Sequence, residues 1–403
     1  MAYHGHMTDR DTLITLTQDL IRIASLSGEE SEVVRFIADA MQGLGYDAVH
    51  IDEVGSITGS IFGKKEGTSI LLDCHIDTVP VENRDAWTHD PFAAEICDDC
   101  IYGRGAADMK GAAAAMIVAA ADFMRSTGGD FAGSVHVSCT VCEECFEGYA
   151  AALVAQRIKP DVVIIGEASE LNLKRGQRGR AELCLTTFGK SCHSSNPEEG
   201  VNAIEAMLTI LPEILALPAP SHPVLGDGIL VVTDISSSPY PGRSVLPDRC
   251  TVTFDRRLLV GESRQSVLAP IQRVLDAHPT VVSELCCTEG EIISYPGRAI
   301  KAERFFDAWL MDDDHPVVRR SLAALNRSGI PAVLSHYRFC TNGSRYAGVL
   351  RIPTIGFGPG AEEMAHTVDE HIRIEDLVTA HTGYLTLIES LLANRRSSAM
   401  MGP

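Results

Sequence analysis

Residues 69–80 read SILLDCHIDTVP. The nearly continuous apolar run up to Cys74 predicts a strand buried on both faces, the signature of a central strand in a parallel sheet. The run then breaks into His75, Asp77 and Pro80, so these polar residues fall where the strand leaves the sheet. In an open α/β sheet such strand ends line the ligand crevice. Positions two apart on an extended segment share a face. Asp77 can therefore accept the second ring N–H of His75 and fix its tautomer, the usual support for a metal-binding histidine. Taken alone, the same pattern also fits a plain polar loop.

Moving outward, the same pattern recurs. DVVIIGE (161–167) ends in Glu167, and GSVHVSCTV (133–141) runs into Glu143 and Glu144 with Gly148 close behind. IPTIGFGPG (352–360) leads to His366, and GRGAAD (103–108) brings Asp108 to the start of an Ala-rich helix. Each has an ordinary alternative. Asp108 fits a helix N-cap, the glutamate pair fits a solvated acidic patch, and His366 fits an exposed loop. Adjacent residues on a strand point oppositely, so Glu143 and Glu144 serve one site only if the chain turns there. Gly103 and Gly105 allow close backbone approach in front of Asp108. Together the segments offer two imidazoles and four carboxylates, more than the roughly four ligands of one zinc ion. They suffice for two ions sharing a carboxylate, with another carboxylate left as base, and that surplus points to hydrolysis.

The flanking periodicities give the frame. Residues 9–25 carry helical spacing, and Ser27 ahead of GEESEVVRFIADAMQGLG predicts a capped helix stopping at Gly45. DAVHIDE and SITGSIFG read as strands; Met109 is followed by a long Ala-rich helix, and residues 147–157 read as another. This alternation predicts an α/β fold with a mostly parallel central sheet and helices on both faces. Beyond residue 180 the order becomes strand–helix–strand–strand–helix–strand, with helices at 201–215 and 264–276 and a last strand at 281–287. That order suits a ferredoxin-like α+β unit. Helix–strand alternation resumes near Asp314 with HPVVRRSLAALNRSG, IPTIGFGPG and a final helix from IRIEDL. The expected organisation is 8–180 and 299–395 as one domain, interrupted by 181–298.

A chain of 403 residues carries a prior of two domains. With 45% apolar and 22% charged residues it has a globular profile. The 34 Lys and Arg against 54 Asp and Glu give a net charge of −20, which repels nucleic acid and anionic membranes. MAYHGHMTDR has no apolar h-region, which predicts a cytoplasmic protein without a secretory signal, with Met7 as a possible start after His4 and His6. GAAAAMIVAAADFM is short and contains Asp122, so it reads as a buried helix and not as a membrane span. Of the 12 cysteines, Cys97 and Cys100 form a CxxC, and Cys139, Cys142 and Cys145 form a CxxCxxC. A zinc ribbon needs two knuckles in a turn-rich module, so reduced, mostly buried thiols are expected.

HxDTVP, GRGxxDMKG, the EE pair before a glycine, GE at the next strand end and AH after GPG resemble the M20 metallopeptidases, over about residues 10–390. These include the acetylornithine deacetylase, succinyl-diaminopimelate desuccinylase and glutamate carboxypeptidase types. The resemblance implies a zinc-peptidase-like catalytic domain interrupted by a lid domain through which the chain forms homodimers. By motif it assigns Asp108 as a carboxylate bridging two Zn2+, His75 and Glu167 to one ion, and Glu144 and His366 to the other. Glu143 becomes the general acid/base and Asp77 the partner of His75. Co2+ or Mn2+ are alternatives, because geometry and availability choose among such metals. Zinc lowers the pKa of bound water to about 7. Glu143 would take a proton from the attacking hydroxide's parent water and return it to the leaving nitrogen.

His193, in GKSCHSSNPEEG, resembles the lid histidine that stabilises an oxyanion and reaches the neighbouring subunit's site; a turn histidine is the alternative. Arg257, in a D-x-R with Asp255, would bind a substrate carboxylate, or else be salt-bridged at a strand end. Asn342 in CTNGS, a substrate-binding candidate, stands where some relatives have aspartate; Ser244 and Cys142 depart likewise from asparagine and aspartate. FCTNGS followed by IPTIGFGPG is most similar to less-characterised members, including those called selenium-metabolism hydrolases. The expectation is a dizinc hydrolase of an amide or peptide bond in an N-acyl amino acid or small dipeptide carrying a carboxylate. The alternatives are an N-carbamoyl or cyclic amide hydrolase, and a non-catalytic cysteine or metal-binding protein.

Overall fold

The computed structural model describes residues 9–393. His4, His6, Met7 and the outermost residues of the expected 8–180 and 299–395 segments therefore lie outside the described residues. Strand Lys65–His75 is at the heart of a nine-stranded sheet. It pairs in parallel with Ala132–Thr140 on one side and Val162–Ile165 on the other, and the latter pairs in parallel with Thr354–Gly356. The flanks are antiparallel. Ala48–Ile51 and Ile57–Phe62 form one edge; Leu173–Gln177 and Trp309–Leu310 lie at the other, where only Leu334–Tyr337 adds a parallel pairing. The sheet is thus parallel at its centre and mixed overall. A turn as short as 52–56 can join only antiparallel neighbours, whereas a parallel pair needs a long crossover.

That crossover is the helix Gly111–Thr127, which joins the two central strands. Its residues Ala112 to Ala121 are at most 1% exposed, and it packs against helix Ile374–Leu392 and helix Asp9–Arg22. Small side chains let it fit between the sheet and two other helices. Among the described residues, no helix is long and apolar enough to cross a membrane.

Two helix starts differ from expectation. The second helix begins at Ser31, and Ser27 is not its cap: the hydroxyl donates to Asp77 Oδ2 at 2.7 Å. Asp108 is not an N-cap either. It lies in a non-helical turn, with φ −126° and ψ 89°, before the helix at Gly111.

The second sheet is antiparallel and five-stranded. Its path runs Ile229–Ser238, Arg249–Leu258, Gly179–Phe188, Val282–Cys287, with Phe305–Phe306 also pairing on Gly179–Phe188. Helices Ala203–Leu215 and Arg264–Ala277 cover one face through a separate core that includes Leu183, Met207, Phe254 and Ile271. Alternation along Gly179–Phe188 puts Ala181, Leu183 and Leu185 in that core and leaves Arg180 and Glu182 on the open face. The hairpin Glu289–Ile293/Ala299–Glu303 spans the expected boundary at 298, and its Ile300 belongs to the main core.

Candidate metal centre

The carboxyl ends of the parallel strands deliver the chemistry to one place. His75 ends its strand and is 2% exposed; Glu167 follows Val162–Ile165 and is 5% exposed. After Ala132–Thr140 the chain turns at Cys142, where φ is +57°, and both Glu143 and Glu144 reach the same cavity. His366 arrives on the loop after Thr354–Gly356, with its side chain 51% exposed. Asp108 comes from the turn before the buried helix. All six line a cavity of about 410 Å³.

Within it, His75 Nε2 lies 2.9 Å from Asp108 Oδ1 and 3.7 Å from Glu167 Oε1. His366 Nε2 lies 3.1 Å from Asp108 Oδ2 and 3.1 Å from both oxygens of Glu144. Asp108 therefore touches both imidazoles, one through each oxygen. Two groups hold ligand atoms within 4.8 Å of one another: His75, Glu143 and Glu167, and His75, Asp108 and Glu144.

Asp77 supports the site differently from the sequence reading. Nδ1 of His75 donates to the backbone carbonyl of Asp77 at 2.9 Å, while the nearer carboxylate oxygen is 3.7 Å away. A carbonyl can only accept, so Nδ1 carries a hydrogen, and Nε2 donates to the Asp108 carboxylate. Burial opposes charge on the ring, yet Asp108 pushes its pKa well above the usual value, and a cation at Nε2 would take that proton's place. The fully buried carboxylate of Asp77 instead accepts from the amides of Glu143 at 3.0 Å and Glu144 at 3.1 Å, and from Ser27. It holds the turn that carries the glutamate pair.

Electrostatics show what this donor set lacks. Burial, then neighbouring carboxylates, push Glu143 and Glu167 well above the usual carboxylate range, and burial with Asp108 beside it raises Glu144. Burial also opposes the charge on Asp108, yet hydrogen bonds from His366 and His75 hold its carboxyl well below that range. Its hydrogen bonds to Asp108 and Glu144 push His366 up to about 10. So many carboxylates in a sealed space are stable only with protons or cations among them. Glu143 Oε1 is buried with no hydrogen-bond partner among the described residues. Oxygen and imidazole donors of this kind suit divalent first-row cations.

The remaining candidates divide. Arg257 lines the cavity and is salt-bridged, its Nε 2.8 Å from Asp255 Oδ1. His193 is exposed, with Nδ1 2.7 Å from the Ser195 hydroxyl, and is not among the residues lining the cavity. Asn342 is buried. Its amide donates to Asp73 at 2.9 Å and Thr140 at 3.0 Å, and its carbonyl accepts from the Gly148 amide at 2.8 Å. These contacts tie it into the fold, and it is not among the residues lining the cavity. Among the described residues the cysteines join no metal-competent group, and all twelve are free. Cys97 and Cys100 close a two-residue hairpin with Asp98 and Asp99 at positive φ.

Sequence reasoning missed Arg180 and Glu147. Arg180 lines the cavity from the second sheet, 2.9 Å from Glu147 and 3.0 Å from Asp255. Its period-2 alternation against a buried core was the available signal. A larger cavity, about 870 Å³, shares Glu147 but none of the six clustered residues, so size does not mark the chemistry.

The family described as Peptidase family M20/M25/M40 matches residues 71–390. An uncharacterized Escherichia coli K12 protein is 34% identical over 382 residues, covering 93% of each chain. A succinyl-diaminopimelate desuccinylase of Methylobacterium radiotolerans is 27% identical over 399 residues, covering 91% of this chain and 93% of its own. The aminopeptidase PepT of Bacillus cereus superposes with a TM-score of 0.74 at 18% identity, over 96% of this chain and 100% of its own, a likeness of fold. A family match over most of the length, and a relative at this identity along nearly the whole chain, make the protein a member of peptidase family M20/M25/M40 and a hydrolase.

Proposed function

We propose that the protein hydrolyses an amide or peptide C–N bond in a small carboxylate-bearing substrate, such as an N-acyl amino acid or dipeptide, with two divalent cations held by His75, Asp108, Glu144, Glu167 and His366. The convergence of these residues from five separate segments in one cavity carries the reading. Asp108, in contact with both imidazoles, is the natural shared ligand; His75 and Glu167 fall on one side of it, Glu144 and His366 on the other. When bound, such a pair supplies Lewis-acid polarisation of the carbonyl and acidifies a water, zinc being the first candidate and cobalt or manganese alternatives.

The chain's own residues do the rest. Glu143 is buried, its pKa raised by that burial, and its Oε1 has no partner among the described residues. A carboxyl so placed can take a proton from the attacking water and pass it to the leaving nitrogen. Asp77 fixes the backbone of residues 143 and 144, so the base stays aimed. Arg257 offers a guanidinium to a substrate carboxylate. His193 lies outside the cavity of its own chain, so we assign it to the site of a partner subunit in a homodimer formed through the second-sheet unit, at about 181–298. Twelve free thiols fit a reducing cytoplasm.

The test combines metal stoichiometry with a screen of N-acetyl, N-succinyl, N-carbamoyl and dipeptide substrates on the same sample. Two cations per chain and turnover of an N-acyl or dipeptide substrate are expected. Less than one cation per chain after zinc reconstitution would falsify the reading. Turnover of the carbamoyl substrates alone would redirect it to the ureido class.

A further inference from the structure

Glu370 is fully buried, four residues beyond His366 on the same loop, and it does not line the cavity. Its carboxylate is saturated from a second segment. Oε2 accepts from Arg104 Nη1 at 2.7 Å and from the Gly105 amide at 3.0 Å. Oε1 accepts from the amides of Ala107 at 2.9 Å and Asp108 at 3.0 Å. Its own carbonyl accepts from the Gly103 amide at 2.8 Å. Immediately after it, His371–Arg373 pairs as a strand with Cys100–Tyr102.

The turn at 105–108 needs such a partner. Asp108 and Met109 are non-helical, so the turn's amides find no acceptor in a regular helix, and buried amides are rarely left unpaired. Gly105 has φ +84°, and a Cβ there would meet Thr78 Cγ2 at 2.8 Å, so the turn is also pressed against the strand exit beyond His75. The result is a closed ring of contacts. Asp108 touches His366 through its side chain, the His366 loop carries Glu370, and Glu370 grips the amide of Asp108.

We propose that Glu370 is a positioning residue that sets Asp108 against His366 and thereby fixes the spacing of the two cation sites. The inference rests on the reading of these residues as cation ligands. The two sites depend on it unequally. His75 and Glu167 are buried at strand ends, and His75 is held independently by the Asp77 carbonyl. His366 is half exposed on a loop that Glu370 ties to the 103–108 turn. Loosening Glu370 therefore acts on the His366 side.

Cobalt titration of metal-free protein, well below its Tm, tests this, with Co2+ absorption and calorimetry as readouts. Glu370→Gln keeps the shape but replaces one acceptor oxygen by a donor. It should bind one Co2+ as wild type does and the second about 10- to 100-fold more weakly, as for other groups that orient metal ligands. Asp122→Asn, which weakens the part-buried contact with His381 away from the residues lining the cavity, controls for general destabilisation. It should lower Tm while leaving both affinities unchanged. Should Glu370→Gln fail to fold, Glu370→Asp is read in the same way. Wild-type affinity for both ions in the Glu370 variant, or an equal loss in Asp122→Asn, overturns the positioning role and leaves the proposed function standing. If wild type itself takes up less than one Co2+, the underlying metal reading has failed instead.

Discussion

On the wall of the cavity built by the main sheet, His75, Glu143 and Glu167 retain 2%, 5% and 5% of their surface. On the wall contributed by the second sheet, the side chains of Arg180 and Arg257 retain 23% and 29%. The first wall is fixed through backbone: the Asp77 carboxylate holds two amides and the Glu370 carboxylate three. The second is held by side-chain ion pairs among Arg180, Glu147, Asp255 and Arg257. Backbone contacts tolerate little movement, whereas partly exposed ion pairs are individually weak and can exchange partners. Reaction chemistry on the rigid wall and substrate recognition on the adaptable one is the arrangement this difference favours.

Substitutions on the two walls should separate along that line. The largest effect belongs to Glu143→Gln, which should keep both cations but lower kcat by about 10²- to 10⁴-fold, the range for a lost general acid/base. Wild-type turnover at full metal content would remove Glu143 from the chemistry. Arg257→Ala should act through KM, lowering kcat/KM by roughly 10- to 100-fold for substrates with a carboxylate, from a lost charge-assisted contact. Uncharged analogues should be nearly indifferent, and an equal effect on them would show Arg257 to be structural.

Asn342→Ala should leave KM alone and cost roughly 2–3 kcal/mol in urea unfolding, because Asp73 and the Gly148 amide lose buried partners. A changed KM with unaltered stability would return Asn342 to the substrate. The smallest effect is a pH dependence on the rigid wall. Glu30 is buried beneath the glutamate turn, and burial, helped by Asp77, raises it from 4.5 to about 7. A raised pKa means the folded state binds the extra proton, so this contribution is full below about pH 4.5 and is lost as pH rises through 7. Glu30→Gln removes the titration. Relative to wild type, it should gain on the order of 2 kcal/mol in urea stability between pH 5 and pH 8. Parallel pH profiles for the two proteins would show that Glu30 does not titrate there.

The residues that meet in the cavity stand out in sequence because an apolar run ending in His, Asp or Glu marks a buried strand reaching the crevice. His75, Glu143, Glu144 and Glu167 all carry that mark. The parallel centre of the sheet and the ferredoxin-like order of the second unit follow from periodicity in the same way. What periodicity cannot carry is the partner of a buried polar group. Glu370 and Asp77 act on backbone amides, which leave no trace in side-chain pattern, and the sequence at Ser27 predicts a helix cap although its hydroxyl's partner lies 50 residues away. The three internal partners of Asn342 come from distant strands and turns, so local spacing does not reveal them. The antiparallel flanks escaped notice for a related reason, since register depends on which strands become neighbours.

The excursion into the second sheet begins and ends at one spot. Trp309–Leu310 pairs with Gln177 and Gly176, and Phe305–Phe306 pairs with Ala181 and Arg180, so outgoing and incoming chain run side by side as a single ribbon. Ladder neighbours lie about 5 Å apart. Any module whose two termini emerge that close could be spliced in at this joint without disturbing the strands beneath, which gives a lineage the freedom to trade what it recognises while inheriting how it reacts.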